Sequence, residues 1–167
     1  MKMTSAEANK LLRQLHEDHR ALEGMEREVR TFVAATTEKL EDARPAYDYS
    51  AVQAKLAELE DKARRLKHAI NIFNISQAID DSGMTIDQAL VYIPQLSERK
   101  QKLAVMRAAQ KKMRNESMRR SDLIEYTYAN YDIEQVETDY QSASDELARV
   151  QNALDLVNST VQFEIDI

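Results

Sequence analysis

Residues 52–73 read VQAKLAELEDKARRLKHAINIF, and within them Val52, Leu56, Leu59, Ala63, Leu66, Ile70 and Phe73 recur in steps of four and three. That spacing lays one narrow apolar stripe along a helix, and the stripe leaves water only when a second helix covers it. The same rhythm returns at Val136, Tyr140, Ala143, Leu147, Val150, Leu154 and Val157. A third stripe runs through Ala8, Leu11, Leu15, Leu22, Met25, Val29 and Phe32, with Asp18 interrupting it. The expected fold class is mainly α: long antiparallel coiled-coil helical hairpins with a minor two-stranded β element near the C-terminus.

Start and stop signals place the elements. Thr4 with Glu7, Ser50 with Gln53 and Thr85 with Gln88 have capping-box spacing, and Asp132 with Gln135 caps the last helix. Helices are expected over about 4–40, 50–79, 85–115 and 132–158. Arg44-Pro45 and Asp80-Asp81-Ser82-Gly83 mark the turns between them. Pro94 removes the amide that would bond to the Leu90 carbonyl, so a kink or short break is expected there. Gly24, inside the first helix, marks a tolerated glycine or a close helix contact.

After Ser121 the period changes to two. Ile124, Tyr126 and Tyr128 alternate with Glu125, Thr127 and Ala129, and Val161, Phe163, Ile165 and Ile167 alternate with polar residues. Strands are therefore expected over about 122–130 and 159–166. A helix of about 26 residues between them spans roughly 39 Å, whereas an eight-residue strand reaches only about 26 Å. Pairing these two strands within one chain is awkward, so they are expected to pair across a subunit boundary, in a homo-oligomer with a dimer favoured.

Composition narrows the function. The 167 residues hold two glycines, two prolines, no cysteine and 31% charged residues, which suits one elongated helical domain spanning 1–167. No Ser-His-Asp set, glycine-rich loop or thiolate is present, so no catalytic residue, cofactor or metal site is assigned and no enzyme is expected. No apolar run approaches the ~18 residues that span a membrane, and the protein reads as cytoplasmic. The function expected is a structural or protein-interaction module, self-associating through its helices and terminal strands.

The alternative is binding of nucleic acid or an anionic surface. Nine basic residues against Glu116 alone give Arg99–Arg120 a formal charge of +8, so the rest of the chain carries −14 within an overall −6. The candidate patch is Arg107, Lys111, Lys112, Arg114, Arg119 and Arg120. No aromatic residue lies inside it, and the overall negative charge argues against nucleic acid as the main partner. Candidate register or oligomer contacts are Asn71, Asn74, Tyr126, Tyr128 and Phe163, because amides in an apolar run fix helical register and tyrosines suit interfaces. Tyr131 and Tyr140 complete the tyrosine cluster. His16 and His19, with Glu23, share one helix face but read as solvated, as does His68.

Ile70-Asn71 followed by Asn74, Gly83-Met84-Thr85 leading through Ala89-Leu90, Ser121-Asp122-Leu123-Ile124-Glu125-Tyr126, Asp132-Ile133 and Asn158-Ser159-Thr160-Val161 occur in that order. In these features the stretch 70–167 resembles a septicolysin-like family of small bacterial coiled-coil proteins. It departs from the family at Tyr92-Ile93-Pro94, where the family helix continues with charged residues. The resemblance implies a coiled-coil hairpin with a small β element and no assigned activity.

Overall fold

The computed structural model describes residues 1–115 and 124–167. Its elements run β1 (Lys2–Thr4), α1 (Ser5–Val29), α2 (Leu40–Ala43), α3 (Tyr49–Ser76), α4 (Ile86–Arg107), β2 (Lys112–Arg114), β3 (Tyr126–Tyr128), α5 (Ile133–Thr160) and β4 (Gln162–Glu164). They divide into two compact units, Met1–Ser76 with Leu156–Ile167, and Gln77–Asp155.

In the first unit α1 and α3 form an antiparallel hairpin, as the pairing of His19 with Glu60 and of Glu26 with Gln53 requires. Its core holds Ala8, Leu15, Leu59, Leu66, Ile70 and Ile165. Thr4 starts α1 with both halves of the capping box in place. The helix stops at Val29 rather than near residue 40. The stretch Thr31–Thr37 contains Thr31, Val33, Thr36 and Thr37, whose β-branched side chains lose rotamer freedom in a helix. The start of α3 also differs from the expected Ser50 box: Asp48 caps it, accepting from the Ala51 amide at 3.0 Å.

Two small antiparallel sheets replace the one expected β element. β1 pairs with β4, Met3 standing opposite Phe163, and the ladder is extended by Ile165 N–H donating to the Met1 carbonyl at 2.8 Å. β2 pairs with β3, Lys112 opposite Tyr128 and Arg114 opposite Tyr126. The strands therefore find partners inside the chain, which corrects the expected pairing across a subunit boundary. The two strands do not pair with each other across α5: β4 takes its partner from the N-terminal residues and β3 from a segment expected to be helical. Residues 122 and 123 of the expected strand lie outside the described residues.

In the second unit α4 and α5 run antiparallel, joined by contacts of Arg107 with Glu137 and of Lys100 with Tyr140. The β2–β3 ribbon grows from the end of this hairpin. α4 ends at Arg107 instead of reaching 115. Ala108 and Ala109 would continue a helix readily, so the stop is tertiary: the Tyr131 hydroxyl donates to the Met106 carbonyl at 2.9 Å, and Lys112–Arg114 is taken up by the ladder. The break expected at Pro94 is not found, and the helix runs through it. Pro94 and Leu90 are both exposed, so water can reach the carbonyl that the proline leaves unpaired. A tight turn precedes α4, with Gly83 at φ +79°, a conformation that favours glycine.

Candidate functional site

The ribbon sorts its side chains. Residues directly opposite in an antiparallel pair share a face, and that face alternates along each strand. Lys112, Arg114, Tyr126 and Tyr128 therefore lie on one face, and Met113 with Thr127 on the other. Tyr126 is 43% exposed and Tyr128 60%. The Lys112 ammonium sits 3.9 Å from the Tyr126 ring centroid and 5.5 Å from that of Tyr128. The two rings are 6.4 Å apart and tilted by 54°, so they do not stack on each other. No aromatic residue lies within 99–120; the fold supplies two from the other strand.

The rest of the basic patch behaves differently. Arg107 bonds Glu137 at 3.0 Å and lies 4.0 Å over the Tyr140 ring, so its charge is engaged within the hairpin. Lys111 precedes β2 and is exposed, and Arg119 and Arg120 lie outside the described residues. The named patch thus splits into the ribbon cations and a cation held by α5.

The register residues also separate. Asn71 is exposed: the stripe residues Ile70 and Phe73 face inward and turn Asn71 outward. Asn74 is half-buried, with its side-chain oxygen buried and without a hydrogen-bond partner among the described residues. Phe163 stacks on Phe73 within the chain, centroids 4.4 Å apart and 13° from parallel. Beside this stack opens a cleft of about 380 Å³ lined by Arg65, His68, Ile72 and Asp166 among others.

One polar grouping reads as solvated in the sequence but is paired in the fold, and two more have no counterpart in the sequence analysis. His19 bonds Glu60 at 3.1 Å and approaches Glu23 at 3.6 Å, while His16 is exposed. Among the described residues no group of three or more His, Cys, Asp or Glu could hold a metal ion. Glu26 accepts from the Tyr47 hydroxyl at 2.5 Å and the Gln53 amide at 2.9 Å. The Glu26 carboxylate holds the Tyr47 hydroxyl protonated, pushing its pKa up to about 12. Arg149 bridges Glu146 and Asp80, and its guanidinium lowers both carboxyls, with Ser82 the larger influence on Asp80. The signal for the first two was present: continuing from Ala8, Leu12 and Leu15 by alternate fours and threes gives His19, Leu22, Glu26 and Val29, and all of these are at least half-buried.

No helix among the described residues is long and apolar enough to cross a membrane. No protein-family model matches this chain, and no curated protein matches it. A solved structure described as a functionally unknown conserved protein from Corynebacterium diphtheriae is similar over 98% of this chain and 100% of its own, with a TM-score of 0.59 and 18% identity. At that identity the likeness is one of fold: a mainly helical chain with small antiparallel sheets.

Proposed function

We propose that this chain is a non-catalytic helical interaction module of the cytoplasm that associates with a second copy of itself. The observation that supports self-association is the second apolar face of α3. Its core stripe is buried against α1, yet Ile72 and Ile75, three apart on another side, are 50% and 61% exposed. A symmetric pair of such helices covers both faces at once, since a two-fold interface matches a patch to itself. The septicolysin-like resemblance belongs to the same proposal and adds no activity to it. The absence of cysteine supports a reducing compartment.

Light scattering on a sizing column tests the proposal. Twice the 19.2 kDa chain mass is expected for the wild type, and the single-chain mass for the Ile72→Ser/Ile75→Ser double variant. A wild type that elutes at the single-chain mass at high concentration refutes self-association. An unchanged dimer in the variant moves the interface away from α3.

A further inference from the structure

We propose that the Lys112, Arg114, Tyr126 and Tyr128 face of the β2–β3 ribbon binds single-stranded nucleic acid, a ligand independent of self-association. Three observations converge on that chemistry. Each cation stands directly across the ladder from a tyrosine, Lys112 from Tyr128 and Arg114 from Tyr126. The backbones that carry ring and cation are thus one strand spacing apart, about 4.8 Å, and the two tyrosine–cation pairs are offset by two residues, roughly 6.8 Å along the strand. A polynucleotide has the same makeup: a flat base and a charged phosphate in every repeat.

The rings are available. They are exposed and tilted away from mutual stacking, and Tyr126 carries Lys112 near one of its faces. Base–aromatic stacking tolerates any base, because every base presents a π-face, and a guanidinium matches phosphate oxygens with paired donors. Charge complementarity points the same way. Among the described residues of this face there is no carboxylate, whereas the chain outside 99–120 is strongly acidic. The acidic remainder confines a polyanion to the ribbon.

An anionic membrane is the weaker match. Interfacial insertion calls for a contiguous aliphatic or tryptophan-rich face, and here the one aliphatic side chain of the two strands, Met113, alternates to the opposite side.

Fluorescence anisotropy of labelled oligouridylate and oligothymidylate across a salt series tests the proposal, the two oligomers distinguishing RNA from DNA. The logarithm of the affinity is expected to fall linearly with log salt, the slope shrinking by about 0.7 for each of Lys112→Gln and Arg114→Gln. Tyr126→Ala and Tyr128→Ala are each expected to weaken binding by about 5- to 150-fold, the equivalent of one lost base stack. Lys10→Gln removes an equal charge from α1 and is expected to leave the slope unchanged; circular dichroism checks that every variant keeps its helices. Absence of binding at low salt, equal effects of Lys10→Gln and Lys112→Gln, or binding to anionic vesicles in preference to both oligomers would each overturn it.

Discussion

Replacing Ile165 by alanine isolates the contribution of the C-terminal strand to the first unit. Ile165 is 3% exposed and belongs to the core formed with Ala8, Leu15, Leu59, Leu66 and Ile70, although it follows that hairpin by about ninety residues. The change deletes three buried carbons, about 2.4 kcal/mol of transfer free energy, and the unfilled space brings the expected loss to about 3 kcal/mol. Against a urea m-value of about 2 kcal/mol/M, the unfolding midpoint should drop by about 1.5 M with an unchanged slope. The control is Leu156→Ala, in the same unit on a residue of similar size that is 63% exposed; its cost is expected within about 0.5 kcal/mol of zero. Urea titration followed by far-UV circular dichroism at low protein concentration measures both. Equal losses from the two variants, or no loss at Ile165, would refute the inward placement of β4 and its flank.

Gly24→Ala should stabilise the first unit by about 0.5–1 kcal/mol in the same titration, since a Cβ at Gly24 meets nothing within 4 Å and the helix needs no glycine there. His19→Leu should raise thermal stability by about 1 kcal/mol by completing the apolar seam; a lower melting temperature would mean that the Glu60 bond outweighs the added apolar burial. Tyr47 has a folded pKa above its ordinary value, so its contribution is present below about pH 10 and lost as pH rises through about 12. Alkaline absorbance titration should accordingly show one late tyrosine that Tyr47→Phe removes, and the stability gap between wild type and Tyr47→Phe should close over that interval.

The helical stripes were legible because each is a local pattern with one solution. All seven positions of the α3 stripe and all seven of the α5 stripe are buried or half-buried. The α1 stripe differs from the structure at Met25 and Phe32, while Ala8, Leu11, Leu15, Leu22 and Val29 are buried or half-buried. Following apolar residues alone led to Met25, which is 65% exposed, because the true seam contains His19 and Glu26. Polar residues hold seam positions where the partner helix supplies Glu60 and Gln53 and the segment before it supplies Tyr47, and those partners are invisible in a local window. β1 was unreadable for a related reason. Three residues, Lys2-Met3-Thr4, carry too little pattern to declare a strand, and only the distant β4 makes them one. β4 itself was readable, since Val161, Phe163, Ile165 and Ile167 face inward while Gln162, Glu164 and Asp166 face out. The ribbon face combined both cases: Tyr126 and Tyr128 announced a strand, but that their partner was the basic segment depended on α4 ending early.

Pairing β1 with β4 also imposes an order on biosynthesis. The second unit is continuous in sequence, Gln77–Asp155, and has all its residues once Asp155 has emerged. The first unit joins residues made before the second unit to residues made after it, so its hairpin waits for Phe163 and Ile165 before its core is closed. At translation speeds of about 5–20 residues/s that delay is on the order of 5–20 s for the roughly ninety residues that follow Ser76. For that interval Ile70 and Phe73 lack the side chains that finally cover them, so the half of the molecule synthesised first is the last to be completed.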